Sequence, residues 1–110
     1  MENLFFLNIA TAEGFSKHTQ PVLIGNKRYK FIYQNNFREE SIYLSITDMS
    51  DSEEKTVLKN VLLTPGINLT KFADKTIWNN DLYLADTLNQ NRKPFLSLPD
   101  DFVFVVVMDW

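Results

Sequence analysis

Over several short stretches the apolar residues of this chain fall at every second position. In residues 27–33, Tyr29, Phe31 and Tyr33 share one face of an extended chain while Arg28 and Lys30 take the other, the pattern of a strand packed on one side and wet on the other. Val22 and Ile24 lead into Gly25-Asn26, a pair suited to a tight primed turn, so residues 22–33 predict a hairpin. Residues 41–48 repeat the alternation, with Ile42, Leu44 and Ile46 opposite Tyr43, Ser45 and Thr47. Residues 3–9 predict a first strand, 10–18 a connecting loop and 34–40 a polar turn, so the first half reads as a β-meander.

The second half alternates less cleanly. Within 56–63 the apolar residues at 57, 58, 61 and 62 also match a helical spacing, and a strand is expected over 60–63. In Leu62-Leu63-Thr64-Pro65-Gly66-Ile67-Asn68-Leu69, Pro65 presets φ for the first central position of a type II turn and Gly66 supplies the positive φ of the second. Asn68 is a competent cap for a short helical turn over 68–72. Ile77 and Trp78 precede a turn over 79–81 and a short strand over 82–84. Residues 86–101 form a long polar connection holding Pro94 and Pro99, with Phe95, Leu96 and Leu98 available to pack it down. Residues 102–110 are apolar on both faces, as a central strand is.

These elements predict an all-β fold, a small antiparallel β-barrel or β-sandwich with one short helical turn after the central Pro-Gly turn. The 110 residues suit a single domain, with an N-terminal arm and loop over 1–19 and the main body over 20–110. Apolar residues at 45%, nine Phe and only three Gly exclude a disordered or collagen-like chain. A net charge of −3 with acids in both halves opposes binding to nucleic acid, whose affinity comes from cations neutralising phosphates. Cysteine is absent, which removes disulfides, thiolate metal sites and a cysteine nucleophile, and fits synthesis in a reducing cytoplasm. Leu4-Phe5-Phe6-Leu7 lacks the cationic start of an export signal, since Glu2 stands there and Asn8 cuts the run short. The longest apolar run, 102–108, falls short of the ~20 residues of a membrane-crossing helix, so no membrane partner is expected.

No catalytic constellation emerges. The single histidine, His18, lies in the polar N-terminal loop with no nucleophile beside it and reads as solvated surface. Gly14-Phe15-Ser16 is not a nucleophile elbow, and three scattered glycines cannot build a phosphate loop. The acidic connection from Asp48 to Glu54 lacks the central glycine of a calcium loop and carries Lys59 where the bidentate Glu belongs. Asp100 and Asp101 enter a strand on opposite faces. Tyr29, Phe31 and Tyr33 beside Lys27, Arg28 and Lys30 suggest a base-stacking platform, but aromatics at period two more often face a core. No enzyme activity, cofactor or metal is therefore expected. Leu4, Phe5, Phe6 and Leu7 are candidate partner contacts, able to add a strand to a neighbour's sheet edge.

The order of motifs adds a resemblance. Val22 to Tyr29 with its Gly25-Asn26 turn is followed by Ile42-Tyr43-Leu44-Ser45-Ile46-Thr47-Asp48, then by Leu62 to Leu69 with Pro65-Gly66. Asp81-Leu82-Tyr83-Leu84, Pro94 and the closing apolar strand complete the series. This order resembles the small baseplate plug proteins of contractile-tailed phages, the cyanophage-type plug family. That family shares an aromatic hairpin, a "WYLDI-D"-like strand, an "L-x-PG-x-x-L" turn, a "G-x-L-x-V" strand and a terminal strand. Ile42 stands where the family usually has Trp, and Asn80-Asp81 where it usually has Gly. Over residues 20–110 the resemblance implies a structural virion component of the tail baseplate, bound to hub or spike proteins and closing the tail lumen. Homo-oligomers are compatible with such a role. The competing reading is a small β-sandwich binding module that recognises a partner protein, or a glycan through Trp78, Tyr83 or Trp110.

Overall fold

The computed structural model describes residues 2–8, 17–50, 52–73, 76–87 and 102–109, apart from the side chains of residues 2, 3, 5, 8 and 109. The strands are β1 (Glu2–Asn8), β2 (Lys17–Ile24), β3 (Lys27–Asn36), β4 (Ser41–Asp48), β5 (Lys55–Leu62), β6 (Asn80–Asp86) and β7 (Phe102–Asp109). They form two antiparallel sheets, of order β1-β7-β6 and β2-β3-β4-β5. The sheets pack as a sandwich whose core joins Phe31, Tyr33, Leu44 and Ile46 of one sheet to Leu82, Leu84, Phe104 and Val106 of the other.

The predicted hairpin is β2–β3. Gly25 has φ 62° and Asn26 is not left-handed, the arrangement of a type II′ turn. Tyr29, Phe31 and Tyr33 all point inward and are buried. Phe31 meets Phe104 of the facing sheet edge-to-face, with ring centroids 5.6 Å apart, a geometry the aromatic quadrupole favours. On β4, Ile42, Leu44 and Ile46 are buried and Tyr43, Ser45 and Thr47 are half-exposed, as the alternation requires. The apolar last strand, β7, is central in its sheet, with β1 on one side and β6 on the other.

Several expectations need correction. The strand expected over 60–63 begins earlier, at Lys55, and its helix-like spacing comes from two β-bulges. Between Thr47 and Ile46 the partner residues advance from Thr56 to Leu58, and between Ile46 and Leu44 from Leu58 to Val61. Each step inserts one extra residue into β5, so Val57 and Leu58 both turn inward. At the second bulge Asn60 adopts φ 52°, and its N–H donates to Ser45 Oγ at 2.9 Å.

No helical turn forms over 68–72; the described residues contain no helix, and residues 69–72 are turns. Asn68 does accept from Thr70 N–H as a cap would, but the donor before it is drawn to β6. Leu69 N–H donates to Leu82 C=O at 2.7 Å, which ties the segment to the sheet before a helix can propagate. The turn expected over 79–81 is shorter as well, since Asn80 and Asp81 already pair with Met108 and Val107 in β6. Within the expected arm over 1–19, Glu2–Asn8 form β1 and residues 17–19 open β2, while 9–16 lie outside the described residues, as does the connection over 88–101.

Candidate interaction surface

The Pro65-Gly66 turn does more than reverse the chain. Gly66 has φ 86°, Pro65 forms a parallel bridge with Leu84, and Gly66 N–H donates to Leu84 C=O at 3.2 Å. Asn68 then acts as a connector. Its Oδ1 accepts from Thr70 N–H at 3.1 Å and from Leu82 N–H at 3.2 Å, and its Nδ2 donates to Asp81 Oδ1 at 3.0 Å. The fully buried Thr70 hydroxyl lies within reach of two acceptors, Asn80 C=O at 3.1 Å and Asn68 Oδ1 at 3.2 Å. Residues 65–70 thus occupy the outer edge of β6, so Pro65 and Gly66 are structural and belong to that seam.

On the opposite side of the same sheet lies its most apolar exposed surface. Register places Leu4, Val107 and Asp81 in one row, and Phe6, Val105 and Tyr83 in the next. Leu4 and Phe6 are 61% and 64% exposed, and Val105, Val107 and Tyr83 are half-buried. The inward set of the same strands, Leu82, Leu84, Phe104 and Val106, is fully in the core. The two-faced apolarity of residues 102–108 therefore divides into a core face and a face with no layer over it among the described residues. Of the four predicted contact residues, Leu4 and Phe6 lie on this outer face, Leu7 packs against the core, and the side chain of Phe5 is outside the description.

The chemistry-bearing residues are placed for structure. His18 is not in a loop: it lies in β2 opposite Tyr33 and stacks on that ring, centroids 4.7 Å apart. Burial holds the Tyr33 phenol well above its ordinary pKa, and its hydroxyl donates to Gln20 Oε1 at 2.6 Å. Tyr29 is pushed up to about 12, first by burial and then by the Asp48 carboxylate. Asp48 itself is buried and its Oδ1 accepts from Ser50 N–H at 2.9 Å, so this end of the acidic connection serves as a turn cap. Lys30 and Glu54 form an exposed ion pair at 3.5 Å, of little energetic weight. Tyr29, Phe31 and Tyr33 are spent on the core, so this trio does not present its rings to a base. Among the described residues no three His, Asp or Glu side chains gather as metal ligands.

Trp78, a candidate glycan contact, is 1% exposed and lies edge-on to Tyr29 at 5.0 Å. It is core. Tyr83 is half-buried on the apolar outer face, and Trp110 lies outside the described residues. A polar cleft of about 430 Å³, which the sequence did not reveal, opens on the other sheet between Gln34, Asn35, Asn36, Phe37, Tyr43 and Asn60. One wall is held by Glu39, whose Oε1 accepts from Asn36 Nδ2 at 2.8 Å and from the Tyr43 hydroxyl at 3.2 Å. The carboxamides come from β3 and from the bulge of β5, and register had to be known before they could be grouped.

No family model matches this sequence, and no curated protein matches it.

Proposed function

We propose that this chain is a non-catalytic structural domain of a phage-tail baseplate, a plug that docks on hub or spike proteins and closes the tail lumen. The ordered series of motifs supports the baseplate role. The apolar outer face of the three-stranded sheet, built by Leu4, Phe6, Val105, Val107 and Tyr83, is the observation that carries docking. A sheet of an isolated small domain more often turns a polar face outward, and exposed apolar surface of this kind marks a contact.

Deleting residues 1–9 is a poor test, because it removes β1 and strips one side of β7. The cleaner variant is Val105→Lys with Tyr83→Lys, which charges the face and leaves the β1 residues themselves in place. Its folding is checked by circular dichroism and its incorporation by mass spectrometry of purified tails. Folded protein that no longer enters tails supports the docking face, and wild-type incorporation refutes it. Cryo-microscopy of the virion tests the role itself, and absence of the chain from purified tails defeats it.

A second reading, a glycan-binding module, is favoured by the carboxamide cleft, since donors and acceptors beside Tyr43 and Phe37, with the Glu39 carboxylate at one wall, suit hydroxylated ligands. Glycan-array binding that Tyr43→Ala abolishes would favour it over the plug.

A further inference from the structure

We propose that the free edge of β1 pairs with the same edge of a second copy of this chain, in antiparallel register centred on Phe5. The inference does not depend on the baseplate role; it concerns the strand edge, which shares only Leu4 and Phe6 with the apolar face.

An open two-sheet sandwich has four strand edges, here β1, β6, β2 and β5, and each unpaired edge is a template for unwanted association unless something blunts it. Three are blunted. On β6, the outward groups Leu82 N–H, Leu82 C=O and Leu84 C=O bond to Asn68, Leu69 and Gly66. β2 carries Pro21, which lacks a donor and is tolerated only where a strand faces away from its ladder. β5 is bent by two bulges and carries Lys55 and Lys59, both exposed.

β1 has none of these devices. Glu2–Asn8 contains no proline, no cation and no left-handed residue. It pairs with β7 at seven successive positions without a register break. Nothing among the described residues bonds to its far side. Among the described residues β1 is thus the edge that is unbroken in register, free of cations and able to accept a strand.

The segment is also complementary to itself. A two-fold axis through the Phe5 pair sets Leu4 opposite Phe6 of the second copy, and Phe6 opposite Leu4 of the second copy. Both pairs lie on the exposed face, where cross-strand aromatic–aliphatic contact is favourable. Glu2, the only ionisable residue of the segment, falls opposite Asn8 of the second copy. The two carboxylate-bearing residues then sit at opposite ends, about 20 Å apart along the strand. The product is a six-stranded sheet bounded on both sides by β6, whose edges the 65–70 segments already cover. Two-fold pairing therefore leaves that sheet no open edge, and the assembly closes.

Sedimentation equilibrium of the full chain tests this, together with two variants: Leu4→Lys with Phe6→Lys, and Leu4→Glu with Phe6→Glu. Both sites are mostly exposed in the monomer, so folding should persist, as circular dichroism will report. The wild type should sediment at twice the 12.9 kDa chain mass. Each variant alone should dimerise at least about tenfold more weakly, because the register sets like charges opposite one another. An equimolar mixture should recover a heterodimer, because the lysines of one variant then face the glutamates of the other across the axis. A wild type that stays monomeric at about 1 mM overturns the proposal. So does a dimer indifferent to both variants, or a mixture that fails to pair. Tail incorporation is read separately, so loss of the dimer and loss of the docking face are distinguishable.

Discussion

Gly66→Val isolates the cost of a left-handed backbone from the cost of a clash. An added Cβ at Gly66 would meet nothing within 4 Å, so no packing penalty arises, while its φ of 86° is one that a β-branched residue strongly disfavours. Holding a non-glycine residue there costs about 1–3 kcal/mol. Lost freedom in the unfolded chain returns about 0.4–1 kcal/mol. If the backbone relaxes instead, the Gly66 N–H bond to Leu84 C=O at 3.2 Å is the first to weaken, for a further ~1 kcal/mol. The net destabilisation is about 1–2 kcal/mol, a fall in Tm of about 4–8 °C for a domain of this size. Urea unfolding followed by tryptophan fluorescence measures the free energy, and a thermal scan the midpoint. Asparagine tolerates positive φ, so Gly66→Asn should recover most of the loss. Wild-type stability of Gly66→Val, or equal losses for Val and Asn, would refute the backbone account.

Other outcomes follow from the same structure. Asn68→Ala removes the acceptor for Leu82 N–H and Thr70 N–H, and should cost about 2–3 kcal/mol in urea unfolding. Raised phenol pKa values make alkaline stability a second readout. The unfolded tyrosines ionise near 10, whereas Tyr29 ionises at about 12 and Tyr33 is held well above its ordinary value. Stability from these groups is complete below pH 10 and falls as pH rises toward and beyond 12. Phenolate absorbance that appears near pH 10 for all four tyrosines, with the fold intact, would contradict this. Trp78→Ala should cost about 3–5 kcal/mol, because it empties a core site. Lost ligand binding in that variant would accordingly report unfolding, which a thermal scan on the same sample distinguishes.

Legibility in the sequence tracked the regularity of the strands. The β2–β3 hairpin and β4 were readable because period two survives wherever one face is buried and the ladder is unbroken, as with Tyr29, Phe31 and Tyr33. β5 was obscured by its two bulges, which reset the inward face twice in eight residues. The helical turn at 68–72 was expected because Asn68 has the side chain of a cap; its oxygen indeed accepts Thr70 N–H, but its other bonds reach to β6. His18 looked like a loop residue because β2 opens on a polar stretch, Lys17 to Gln20, that no periodicity marks.

The sequence by itself determined the all-β class, the hairpin, the central apolar strand and the left-handed position of Gly66. Each is set by side chains within a few residues: alternation, a turn pair, or a missing Cβ. Only the tertiary structure decided which faces of those strands are core, because an apolar residue does not say what covers it. It buried Trp78, split the last strand into a core face and an open one, and drew residues 65–70 along β6. Among the described residues it also left the outer edge of β1 without a bonded neighbour, a property that depends on which strands lie beside which and that no local pattern encodes.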